Sequence, residues 1–379
     1  MELLRKIFQW LLSVGIFAIG CSHPPPITID SAYSDCAWNQ GGGGSDRASY
    51  SPVNSSSSGE LVWTRNFKKY ITVEPTAAFG KILVPSTDNK LYVISDIDGS
   101  EIAKRKYREQ LVAPVIIEDS LAVLMLDGEK IMVENWIVHH TLWEADLNGS
   151  FIEPLLLDGN IYWIDGKNYL RCYRLKDGVR IWDRKLEGHF SSALSGSSGG
   201  VLVAQDGGVI YCYEKDSGKP RWTYNTGGRI HNPLVIAEEH VIFCSPEGRI
   251  GKLRLSDGAS VWITELDSPV MAPVATDGEG IFVGTNDRYI CRIDFDSGEI
   301  SWRERIGGPV KAGPTLTEKL VVFVGIDYRA YFADKISGDI LYRFKAGGML
   351  TTRPLACNGR IYIAGEDKKL YCFDITGEK

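Results

Sequence analysis

No block of basic charge occurs in the 379 residues: 42 Lys and Arg stand interspersed among 48 Asp and Glu, leaving a net charge of -6. Without a basic face a phosphate backbone has nowhere to release its counterions, which excludes nucleic acid as a partner. Long apolar runs are missing too. Ile7 to Gly20, interrupted only by Gln9 and Ser13, is 14 residues, too few to span about 30 Å of hydrocarbon at about 1.5 Å per residue. No segment sustains a helical period, so helical bundles and alternating α/β folds are excluded. C-x-x-C, H-E-x-x-H, P-loop and dinucleotide glycine fingerprints are absent, and with them the metal, phosphate and nucleotide chemistry they carry. What is present, 44% hydrophobic residues, 11% aromatics and 40 Gly, describes a packed protein rather than a disordered one.

The N-terminus reads as an address. Arg5 and Lys6 precede the apolar run as in a secretory signal peptide over residues 1–20. The run closes on Ala18-Ile19-Gly20-Cys21, which resembles the bacterial lipobox and implies that Cys21 is lipidated and becomes the mature N-terminus. Ser22 follows where Asp would mark retention at the inner membrane, so the resemblance favours the outer membrane, facing the periplasm. Residues 21–58, with Pro24-Pro25-Pro26, Gly41 to Gly44 and Ser55 to Ser58, have the composition of a flexible tether.

From residue 59 onward the chain repeats. Trp63, Ala103, Trp143, Trp182, Trp222, Trp262, Trp302 and Tyr342 form one comb. Pro75, Pro114, Pro154, Ala193, Pro233, Pro273, Pro314 and Pro354 form a second at the same spacing. Between the two lie short runs rich in Val, Ile, Tyr and Phe, alternating with period two and separated by Asp-Gly-like turns, which read as four strands per unit. Four strands repeated about every forty residues specify an all-β, eight-bladed β-propeller of four-stranded antiparallel blades. After Tyr342 the chain ends before another outer-strand aromatic can occur, and Trp63 has no preceding inner strands. Leu61 to Asn66 is therefore expected to close the ring as the outer strand of a last blade whose three inner strands are C-terminal, leaving no open edge. Each Trp is expected to cap the gap between adjacent blades, with its N–H on a carbonyl. Ala103 and His139-His140 break the pattern in the first two blades.

Eight cysteines offer little chemistry. Beyond Cys21, the residues Cys172, Cys212, Cys291 and Cys372 read as small buried fillers at one position of the third strand in four blades. Equivalent positions in different blades are too far apart for a disulfide. Free structural thiols, with no metal bound, are the expectation.

The unit ending, Gly59 to Trp63, Gly178 to Trp182, Gly218 to Trp222, Gly258 to Trp262 and Gly298 to Trp302, resembles the PQQ-repeat, or quinoprotein alcohol dehydrogenase-like, propeller family over residues 59–379. Trp38, the glycines, Arg47 and Tyr50-Ser51-Pro52 are similar to the lead-in before that family's first blade, which implies that part of this stretch packs on the propeller. Its dehydrogenases close a disulfide between adjacent cysteines over the quinone; this chain has no adjacent pair. In architecture the chain is most similar to the BamB-like outer-membrane assembly lipoproteins. That resemblance implies a non-catalytic, lipid-anchored scaffold without cofactor, touching the membrane through its anchor alone and binding an envelope protein such as a β-barrel assembly component. A quinone-dependent dehydrogenase and a glycan- or cell-wall-binding propeller are the alternatives. In the assembly family the loops leading into the fourth and fifth blades grip the partner; here they carry Phe190, Arg229 and His231, and lack the family's acidic pair. Immediately before the proline comb, Glu74, Glu153, Asn232 and Arg353 make a polar set at the channel mouth, where Glu74 and Arg353 of neighbouring blades are expected to pair.

Overall fold

A computed structural model of the chain describes Ile27, residues 38–53, Ser55 and residues 59–377. The signal peptide and the lipidation site Cys21 lie outside the described residues. Among the described residues, thirty-two strands form eight antiparallel four-stranded sheets, seven of them built from consecutive strands. These are blades one to seven, at 76–106, 116–146, 155–185, 195–225, 235–265, 275–305 and 315–345. The eighth takes its inner strands from Leu355–Cys357, Arg360–Gly365 and Lys369–Asp374, and its outer strand from Glu60–Asn66. The closing pair runs from Glu60 opposite Asp374 to Asn66 opposite Lys369, as the orphaned Trp63 requires.

Burial follows from position in the blade. Second strands such as Gly200–Ala204 and Leu320–Val324 are buried at every residue, sandwiched between neighbouring sheets, and so read as continuous apolar runs. Outer strands such as Arg180–Lys185 alternate, one face packed and one in water.

The comb is an inter-blade clasp. Trp143, Trp182, Trp222, Trp262 and Trp302 each donate Nε1–H to a backbone carbonyl in the next blade, at 2.7, 2.8, 2.8, 3.1 and 3.1 Å. Each indole lies on that blade's turn glycine. A Cβ at Gly258, whose φ is +73°, would come within 2.5 Å of the Trp222 ring. Glycine is fixed there twice over, by the left-handed backbone and by the close approach. Trp63 makes the same contact with Gly99 across the closure.

At the seam between blades one and two both halves of the clasp are missing, and a polar cluster takes their place. His139 adopts the glycine-like φ of +55°. Buried Glu134 accepts a hydrogen bond from the Tyr107 hydroxyl at 2.8 Å, lies 3.4 Å from Arg105 Nη1 and meets His139 Nδ1 at 3.2 Å. Trp136 is buried here with Nε1–H on the Asp119 carbonyl at 3.0 Å, and Ile27 docks its N–H on the Ile137 carbonyl at 3.1 Å.

Two expectations about cysteine need correction. Cys172, Cys212 and Cys372 all pair opposite a comb tryptophan, but Cys291 sits opposite Arg303, one residue out of that register. It therefore faces the other side of its sheet. Cys357 is disulfide-bonded, whereas Cys172, Cys212, Cys244, Cys291 and Cys372 are free and buried. Blade-to-blade spacing excludes only disulfides between equivalent positions, and the partner of Cys357 is not another of these.

Part of the stretch read as a tether packs on the propeller, as the lead-in resemblance implies. Residues 38–51 pass along the channel and are stitched to seven blades in chain order. Trp38 O accepts from Ala77 N at 3.0 Å and Asn39 O from Ile117 N at 2.8 Å. The Gln40 amide makes both bonds to Leu156, at 3.2 and 3.1 Å. Ser45, Asp46, Ala48 and Ser49 carbonyls accept from Gly196, Ile236, Thr276 and Leu316 at 2.9, 2.9, 3.0 and 2.8 Å. The innermost strand of every blade presents an unpaired edge to the axis, and in blades one to seven this segment supplies hydrogen-bond partners.

Candidate functional site

The loops leading into the first strands gather at one end of the channel, where an open pocket of about 280 Å³ remains beside the axial segment. Arg47, Glu74, Glu153, Lys311 and Arg353 line it, with Gly42 beneath. Arg47 is 2% exposed and organises the mouth. Its Nε donates to Leu194 O at 2.6 Å, Nη1 to Gly41 O at 2.9 Å and to Glu153 Oε1 at 2.6 Å, and Nη2 to Pro154 O at 3.2 Å. One guanidinium thus ties the axial segment to the approaches of blades three and four.

Glu74 is half-buried, and its Oε1 accepts from Trp38 Nε1 and from Gly42 N, both at 3.0 Å. Burial holds its carboxyl above the ordinary carboxylate range; the Arg353 charge and the two hydrogen bonds pull the other way without cancelling it.

Arg353 is 7% exposed and forms no hydrogen bond or ion pair with any described residue. The expected Glu74–Arg353 pair is not made, because Glu74 is turned toward Trp38 and Gly42. Two glycines make room for the guanidinium: a Cβ at Gly42 would come within 2.5 Å of Nη1, and one at Gly313 within 2.9 Å of Nε and Nη2.

Of the four polar residues expected at the mouth, Glu74, Glu153 and Arg353 converge on the pocket and Asn232 does not. The Asn232 amide is buried against Cys244 Sγ at 3.4 Å, and its carbonyl accepts from Ser192 Oγ at 2.8 Å. Sequence reasoning missed Arg47 as a mouth residue. The signal was its place among glycines that let main chain pass close to the blades.

The loops of blades four and five meet through side chains. His231 Nδ1 and Ser191 Oγ are 3.2 Å apart, and Ser191 Oγ donates to Asp206 Oδ1 at 2.7 Å. Exposed Arg229 pairs with Glu247 at 3.1 Å, and Phe190 packs half-buried on the blade three–four core. The carboxylates that these loops meet come from the adjacent turns, Asp206 on Ser191 and Glu247 on Arg229.

The donor set can be tested against a quinone with its cation. Glu74 is committed to Trp38 and Gly42, Glu153 to Arg47, and the axis to residues 38–51. Among the described residues no group of three or more His, Cys, Asp or Glu is placed to hold a metal ion. The residues present do not fit that cofactor.

Comparison with known proteins matches residues 166–262 and 246–379 to the family described as outer membrane protein assembly factor BamB, a PQQ-type repeat. The Yersinia pestis outer membrane protein assembly factor BamB is 24% identical over 197 residues, 46% of this chain and 50% of that protein. The chain spans about half the length of the curated relatives it matches. Among solved structures, BamB from Moraxella catarrhalis superposes with a TM-score of 0.72 at 15% identity, covering 84% of this chain and 100% of that one. Quinohemoprotein alcohol dehydrogenase from Comamonas testosteroni gives 0.77 at 11% identity, covering 92% and 82%. At these identities the structural likeness establishes the propeller fold alone.

Proposed function

The chain belongs to the outer membrane protein assembly factor BamB family, and from that premise we propose that it is a non-catalytic scaffold for outer-membrane protein assembly. It is held at the periplasmic side of the outer membrane by acylation of Cys21. Its partner is an envelope protein of the β-barrel assembly apparatus, gripped by the loops that carry Phe190, Arg229 and His231. The observation that carries this reading is the occupied inner edge of the ring. A propeller whose inner strands are paired in seven blades by its own residues 38–51, with the mouth carboxylates already bonded, offers its outer loops for contact. The Ser191–His231 contact supports those loops as a unit, because it couples the lead-ins of two blades into one surface.

The test is affinity recovery from detergent-solubilised envelope. Barrel-assembly components should co-purify with the wild-type chain and be lost when Phe190, Arg229 and His231 are replaced together by Ala, with the melting temperature held. Stoichiometric quinone binding with dye-linked alcohol oxidation would overturn the reading. Recovery unaffected by the triple replacement but abolished by outer-strand substitutions would overturn the placement of the contact. For the anchor, Cys21→Ser should shift the protein from the detergent phase to the soluble periplasmic fraction.

A further inference from the structure

A guanidinium that is nine-tenths buried, permanently charged and without a hydrogen-bond partner costs stability unless something completes it. Arg353 is in that position. Its Nε is buried and unsatisfied, and the fork lies along the wall of the open pocket at the channel mouth. We propose that this pocket is a binding site for a carboxylate, taken bidentately by Arg353.

The surroundings favour an anion of that size and shape. Three cationic side chains line the pocket, Arg47, Lys311 and Arg353, against two carboxylates, Glu74 and Glu153. Arg47 and Glu153 neutralise each other at 2.6 Å. Glu74 turns its oxygen to Trp38 Nε1 and Gly42 N rather than to Arg353. Lys311 reaches only the exposed Asn286 side chain, at 3.1 Å. The remaining balance is two cations to one carboxylate, and a small anion restores it. Planar, two-oxygen chemistry suits a fork whose Nη1 lies over Gly42 and whose Nε and Nη2 lie over Gly313. Both glycines keep the guanidinium's flanks clear, because a side chain at either would occupy its berth. About 280 Å³ accommodates a short aliphatic acid or one acidic side chain, and the opening at the mouth admits either. The same chemistry can thus arrive as a free carboxylic acid or as a Glu or Asp of a bound polypeptide. Nothing here depends on the assembly reading, since the site lies in the mouth and uses none of Phe190, Arg229 or His231.

The experiment is calorimetric titration of the purified full-length protein with two probes: succinate, and a blocked peptide, acetyl-Ala-Ala-Glu-Ala-Ala-amide, whose only carboxylate is its side chain. Succinamide, the neutral isostere, is the control. Saturable binding of succinate or of the peptide, without binding of succinamide, is expected. Arg353→Gln should weaken it by about tenfold or more, the loss of a charge-assisted pair. Succinate alone binding would identify a free acid as the source, and the peptide alone a polypeptide side chain. If Arg353→Gln does not fold, arginine Nε resonances of the wild-type protein give an independent readout, one buried signal shifting as succinate is added. No saturable binding of either probe, equal binding of succinamide, undiminished binding by Arg353→Gln, or no shift of a buried Nε signal would each overturn the proposal.

Discussion

A tryptophan on the outer comb is held by a ring face on glycine and an N–H on a carbonyl, so its removal costs both. Trp222 is the most buried of the set, with Nε1 on Leu255 O at 2.8 Å. Trp222→Ala should destabilise the propeller by about 3–5 kcal/mol, measured by urea denaturation; an unchanged midpoint would show that the clasp carries no load. Gly258→Ala should also destabilise, since its Cβ would meet the Trp222 ring. The double variant should lose less than the sum, because both act on one contact. Glu74 makes a prediction of opposite character. Its folded-state proton affinity is raised by burial, so the folded chain binds that proton more tightly than the unfolded chain. The stability this contributes is full below the ordinary carboxylate range and is lost as pH rises through the folded value. Glu74→Gln keeps an oxygen for Trp38 and Gly42 but removes the titration. Its melting temperature relative to wild type should therefore rise between pH 4 and pH 8; a constant difference would refute the burial argument. At this scale the comb was legible because one structural job recurs at one spacing. The absence of a Glu74–Arg353 pair was not, because it depends on where Trp38 and Gly42, some 36 and 32 positions away, place their N–H groups.

Two elements decide whether eight sheets make one ring. Glu60–Asn66 covers the edge of Lys369–Asp374 along six residue pairs, and its deletion bares a flat apolar edge. Removing residues 60–66 should yield aggregate rather than monomer on size exclusion. A stable monomer would mean that the closure is dispensable. The axial segment is the second element, and composition concealed it. Glycine and serine richness reads as a linker because it measures how little side chain there is to bury. Residues 38–51 are held mostly by their main chain, to inner-edge N–H groups that every propeller blade leaves unpaired, so counting backbone partners reveals what counting apolar side chains does not. Side chains add to this hold at Trp38, Gln40 and, most extensively, Arg47. Arg47→Leu strands Glu153 and the Leu194 and Pro154 carbonyls, and should cost about 3 kcal/mol or more, read from the shift of the urea midpoint. A cost near zero would mean that the axial segment does not brace the ring.

For the whole molecule the question is whether blades open one at a time, as in an open array of repeats governed by nearest-neighbour terms, or together. Closure removes the ends at which an array would fray, and the axial segment couples seven blades that do not otherwise all touch. Together these favour a single transition. The free cysteines are natural reporters. Cys172, Cys212, Cys244 and Cys291, in blades three to six, have thiols pushed up to about 11 by burial, and Cys372, in blade eight, to about 12. Thiolate is the reactive form, so in the folded protein these thiols are nearly inert at pH 8, and each reports the opening of its own blade. Pulsed alkylation in increasing urea, read peptide by peptide by mass spectrometry, should give one common midpoint for all five. Arg47→Leu should split them, with Cys172 and Cys212 reacting first, because Arg47 grips Glu153 and Pro154 before blade three and Leu194 before blade four. Five separate midpoints in the wild-type protein would show that the blades unfold as independent repeats, and that neither ring closure nor the axial segment makes the propeller cooperative.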